Sequence, residues 1–90
     1  MSRDDKRAAS AQREAFATRL RALRQTYGVQ VGQPLLSQAA FAEMLGVEAE
    51  TYRRYERGET EPPLRTLARI RETTGVSLNS LVAGEIDRAA

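Results

Sequence analysis

Arginine supplies most of the chemistry available to this chain. Thirteen of the fourteen basic residues are Arg and one is Lys. The planar guanidinium fork suits phosphate oxygens and guanine edges better than a point ammonium does. Three of these arginines, Arg53, Arg54 and Arg57, crowd into one short stretch beside Glu48 and Glu50. Catalytic chemistry is harder to build. The chain has no His, no Cys and no Trp, so the usual general base near neutral pH, the thiolate nucleophile and the commonest metal ligands are all missing. Glu48 and Glu50 lie two apart on a helix-like segment and do not face each other. No Gly-rich phosphate loop and no metal-ligand cluster stands out. The expectation is a binding protein, not an enzyme, with no cofactor and no metal.

Ninety residues allow one domain. The apolar fraction is 41%. Fourteen of those residues are Ala, which suits a small core packed by short helices. The longest uncharged stretch, Gln25–Ala42, contains Gly, Pro and several Gln, so it is neither a membrane span nor a secretory leader. A soluble cytoplasmic protein is expected, acting at the nucleoid. The net charge of +2 says little about partners, but its distribution says more. Residues 1–24 carry seven basic and three acidic groups, and residues 51–71 carry six and three. Residues 25–50 carry three acidic groups and no basic one, and residues 72–90 carry one basic and three acidic.

The elements that must hold these charges are marked by glycines. Gly28, Gly46, Gly58, Gly75 and Gly84 each follow a helix-like stretch, where Gly closes a helix cheaply. Phe16, Leu20, Leu23 and Tyr27 keep the spacing of one helical face. Phe41 and Leu45 share a face on a second segment, and Tyr52 and Tyr55 on a third. Leu64, Leu67 and Ile70 line a fourth, and Leu78, Leu81 and Val82 a fifth. Ser37 and Ser77 are placed as N-caps, and Pro62-Pro63 starts the fourth segment. No stretch alternates like a strand. Residues 1–9 read as a basic arm, flexible or frayed-helical, 10–84 as the folded domain, and 85–90 as a loose tail.

The second and third segments are separated only by Gly46-Val47. So short a link makes the two helices cross steeply, with a small residue such as Ala42 at the contact. That is the recipe for a helix-turn-helix, whose second helix projects outward. Leu36-Ser37-Gln38-Ala39-Ala40-Phe41-Ala42-Glu43-Met44-Leu45-Gly46-Val47 resembles the first half of the motif in lambda-repressor-like, or XRE-type, DNA-binding domains. Thr51-Tyr52-Arg53-Arg54-Tyr55-Glu56-Arg57-Gly58 is similar to the second half. Pro62, Leu64, Leu67, Ile70, Gly75-Val76-Ser77 and Leu81 resemble the fourth and fifth helices, so the likeness covers roughly residues 16–83.

The resemblance implies an all-α, five-helix bundle with an extended N-terminal arm and first helix, its motif at about residues 37–58. It also implies a sequence-specific transcriptional regulator, usually a repressor, that binds double-stranded DNA as a homodimer. By the same resemblance Gln38 contacts backbone phosphate, and Glu48, Ala49, Glu50 and Arg54 face base edges. Thr51 and Arg53 flank them, Arg57 meets phosphate, and Arg24 with Glu56 forms a structural ion pair. Glu48 serves the helix macrodipole. Glu50 either does the same or accepts from a cytosine amino group. Tyr52 and Tyr55 are expected in the core.

Two departures open an alternative. Residues 37–61 hold three Arg and six Glu, including Glu59 and Glu61 where relatives often place basic groups. The resulting unit is poor in the positive charge on which DNA affinity largely rests. Arg3, Lys6, Arg7 and Arg13 near the N-terminus could make up the deficit on the backbone or in the minor groove. The stretch Val29–Leu35, where relatives often have almost nothing, offers a surface for a partner protein. The second reading is therefore a protein-interaction module or antitoxin-like regulator with weak or no DNA binding.

Overall fold

The computed structural model describes residues 3–85. The side chain of Arg3 and residues 86–90, on which part of the arm and tail expectations fall, lie outside the described residues. Five helices follow one another: α1 Arg3–Gln30, α2 Gln38–Leu45, α3 Ala49–Glu56, α4 Leu64–Thr74 and α5 Asn79–Ala83. No strand occurs among the described residues. This is the all-α, five-helix order expected from the sequence.

At about 1.5 Å per residue, the 28 residues of α1 span roughly 42 Å. Asp4 and Asp5 sit in its first turn, where negative charge suits the helix dipole. Residues 3–9 form the opening turns of α1. The Phe16, Ala17 and Leu20 side chains are buried, and Leu23 and Tyr27 pack beside them.

Gly28 does not end α1. The helix runs on to Gln30, and the left-handed conformation falls at Gly32 instead (φ 76°). Gly28 is needed for a different reason. The chain folds back across it, Gln33 N donates to Gly28 O at 2.6 Å, and a Cβ on Gly28 would stand 2.5 Å from Gln33 O and 2.9 Å from Leu36 Cβ. Because Val29 and Gln30 are helical, the link to α2 is shorter than the sequence suggested. Gly28→Ala should lower stability by about 1–3 kcal/mol, the crowding exceeding the gain in helix propensity. Chemical denaturation measures it, and an unchanged or raised midpoint would contradict the close approach.

Ser37 caps α2, its hydroxyl accepting from Ala40 N at 3.0 Å. Gly46 closes α2 in the left-handed region (φ 68°), and Val47 N donates to Ala42 O at 2.9 Å. The buried Ala42 lets α2 and α3 meet at this turn. Tyr52 and Tyr55 enter the core. Rings of Tyr27, Phe41, Tyr52 and Tyr55 form a row, with centroids 5.9, 5.5 and 6.5 Å apart and the last two pairs edge to face.

The expected stripe on α4 is corrected. Ile70 is buried and Leu67 partly so, but Leu64 is 75% exposed, and Thr66 is buried in its stead. Leu64 sits six residues before Ile70, which turns it about 120° off that face. On α5 only Leu81 is fully covered, and Val82 is half exposed. Ser77 Oγ accepts from Ser80 N at 3.4 Å. Arg19 of α1 donates to Val82 O at 3.1 Å and so ties α5 back to the first helix.

Candidate nucleic-acid interface

The inner face of α3 is fixed by one buried carboxylate. Glu56 is 2% exposed. Arg24 approaches it as a fork from α1, with Nε 2.7 Å from Oε2 and Nη2 3.1 Å from Oε1. The Tyr52 hydroxyl donates to Oε2, and Gln38 Nε2 donates to Oε1 at 3.0 Å. Arg24 Nη1 also donates to Leu36 O at 2.7 Å, and Arg21 Nη2 to the main-chain oxygen of Glu56 at 3.0 Å. One carboxylate therefore binds α1, α2 and α3 together. Burial alone would raise the Glu56 carboxyl pKa, but the hydrogen bonds from Arg24, Tyr52 and Gln38 outweigh it and hold the group below the usual 4.5. Burial and the same carboxylate push the Tyr52 hydroxyl far above its ordinary range, so it stays a donor.

The outer face of α3 carries a different set. Glu50, Arg53, Arg54 and Arg57 stand at i, i+3, i+4 and i+7, which places them along one side of the helix. Glu50, Arg54 and Arg57 are exposed, and Ala49, Thr51 and Arg53 are half-buried. Glu48 is also exposed, and its side chain makes no capping hydrogen bond. The three arginines converge on Glu50. Arg57 Nη2 lies 2.9 Å from its Oε1, Arg54 Nε 3.8 Å from the same oxygen, and Arg53 Nη1 3.7 Å from Oε2. Arg57 also pairs with Glu59 in the following loop. The hydrogen bond from Arg57 lowers the Glu50 pKa, while Glu59 first and Glu50 second raise that of Arg57.

The remaining candidates are spread out. Gln38 is half-buried and turned to Glu56. Lys6 and Arg7 are exposed on the opening turns of α1. Arg13 is not a free cation of an arm, since it sits 3.8 Å from Glu61. Sequence reasoning missed Arg21, Arg19 and the Tyr52 hydroxyl. Only the last left a readable sign, its i,i+4 spacing to Glu56. Among the described residues no cluster of His, Cys, Asp or Glu is placed to hold a metal, and no helix is long and apolar enough to cross a membrane.

Two short helices meeting at a glycine turn, the second with an arginine row facing out, define a DNA-binding class of domain. The pattern described as helix-turn-helix matches residues 33–81, and the chain belongs to this family, in its XRE-type branch. It is 40% identical over 48 residues to the SPbeta prophage-derived uncharacterized HTH-type transcriptional regulator YonR of Bacillus subtilis (strain 168). That match covers 53% of this chain and 44% of the relative, so the chain spans under half of the relative's length. No solved structure matches the chain.

Proposed function

We propose that the protein is a sequence-specific DNA-binding transcriptional regulator, a repressor by class, that inserts α3 into the major groove. The observation that carries this reading is the outward row of Arg53, Arg54 and Arg57 on the second helix of a helix-turn-helix. Arg54 is the exposed fork for a base edge, Ala49 is short enough to meet a thymine methyl, and Arg57 closes on phosphate. Thr51 and Arg53 flank the row. Gln38 gives one amide N–H to Glu56 and keeps a second to offer a phosphate. Lys6 and Arg7 add backbone contacts from α1. A homodimer would set two copies of α3 roughly 34 Å apart on a palindrome. The relative's name as a transcriptional regulator agrees with this role, whose place is the cytoplasm, at the nucleoid. Selection from random duplexes at two salt concentrations, followed by titration, tests the proposal. Enrichment of a palindromic site supports it, and undetectable affinity for every duplex at low salt overturns it.

The acidic loop supplies a second measurement. Glu59 pairs with Arg57 and Glu61 with Arg13. Converting both to Lys should strengthen non-specific DNA binding and steepen its salt dependence by about 1–2 units. An unchanged slope would show that this loop does not face the duplex. A second reading, docking of a partner protein beside α1 and α2, is favoured by one observation. Leu35 is 94% exposed, with Val29 and Val31 uncovered nearby in the chain. Recovery of nucleic acid alone in a pull-down would count against it.

A further inference from the structure

We infer that Glu50 is a specificity gate: it occupies the recognition arginines internally, so that phosphate of arbitrary sequence must compete for them. The inference rests on the DNA-binding reading and adds to it a residue whose role is discrimination. Its basis is geometric. One exposed carboxylate stands within 2.9 Å of Arg57, 3.8 Å of Arg54 and 3.7 Å of Arg53, and Glu59 takes the remaining side of Arg57. All three arginines of the α3 row are therefore engaged before any DNA arrives.

A carboxylate and a phosphate offer the guanidinium fork the same chemistry, two acceptor oxygens in a plane. They compete for it directly. Exposed ion pairs are individually weak and screened by salt, so the gate is reversible. On an arbitrary duplex, freeing the arginines leaves the Glu50 carboxylate facing a polyanion with no donor, and the exchange gains little. On a site that presents a base amino group at that position, the carboxylate accepts from it, since Glu pairs with the cytosine N4 donor. The arginines then pass to phosphate and guanine without stranding a charge. Glu50 thus lowers affinity for wrong sequences more than for the right one. Two of the six glutamates of residues 37–61, Glu50 and Glu59, thus become part of the reading device.

Glu50→Gln tests the gate, because it keeps the size of the side chain and removes the charge. Glu72→Gln is the control. Glu72 is exposed on α4, so this change removes the same charge away from the α3 row. Each full-length variant is titrated by fluorescence anisotropy against a random-sequence duplex and a duplex selected with the parent protein. Titrations run at about 50 and 200 mM salt, where phosphate contacts are most clearly resolved. Glu50→Gln is expected to bind the random duplex about fivefold tighter, with a salt slope steeper by about one unit. It should bind the selected duplex no tighter than the parent, so that the ratio of the two affinities falls. Unchanged affinity for the random duplex, or an equal gain in Glu72→Gln, overturns the gate while leaving the DNA-binding reading intact. Failure of parent and variant alike to bind any duplex overturns that reading and the gate with it.

Discussion

Glu56→Ala should destabilise the domain by about 3–5 kcal/mol, a large part of what a chain of this size has. The loss has several sources. Arg24, with its side chain largely covered, would keep its charge and lose its main partner. The Tyr52 hydroxyl would be left in the core without an acceptor, and Gln38 would lose its tether to α3. Denaturant unfolding with a double-mutant cycle on Arg24→Ala and Glu56→Ala measures the coupling. Additive losses would show that the fork is incidental. The same group predicts an acid limb. Its folded pKa is depressed below the usual 4.5, so the stability it lends is fully present above that value. It is lost as pH falls through the lower, folded value. Glu56→Gln should blunt this acid limb, since it no longer titrates there.

Arg54→Ala should weaken binding to a selected duplex by about 1–3 kcal/mol and relax the preference at one base position. Arg54 is exposed, and its side-chain ion pair is with Glu50 at 3.8 Å. The substitution therefore removes a fork from the outer row without disturbing the core, and the melting curve should barely move. A uniform loss across all sequences, with no change in preference, would reassign Arg54 to phosphate. An unchanged affinity would take the residue out of the interface and favour the partner-protein reading.

Most of the architecture was legible because it rests on local chemistry. Ser37, Gly46 and the i,i+4 pair Phe41 and Leu45 announce α2 and its turn by their types and spacing alone. Tyr52 and Tyr55 fell correctly into the core. What the sequence misplaced depended on distant parts of the chain. Gly28 looked like a helix end, and its true reason, the return of Gln33 and Leu36 across it, is tertiary. Leu64 looked like core because three-residue spacing to Leu67 was counted without the cumulative rotation to Ile70. On the site, the chain shows which arginines cluster, but not that Glu50 gathers all three. Side chains at 50, 53, 54 and 57 are neighbours on any helix, and whether opposite charges there close on each other depends on the rotamers each adopts.

The two sides of α3 share a backbone but no side-chain partner. No side-chain hydrogen bond or ion pair among the described residues joins Glu50, Arg53, Arg54 or Arg57 to Tyr52, Tyr55 or Glu56. On the proposed reading, point changes on the outer row would alter the duplex that is recognised while the scaffold stays unaltered. A transplant of the motif onto another protein, by contrast, would have to carry an α1 arginine with it.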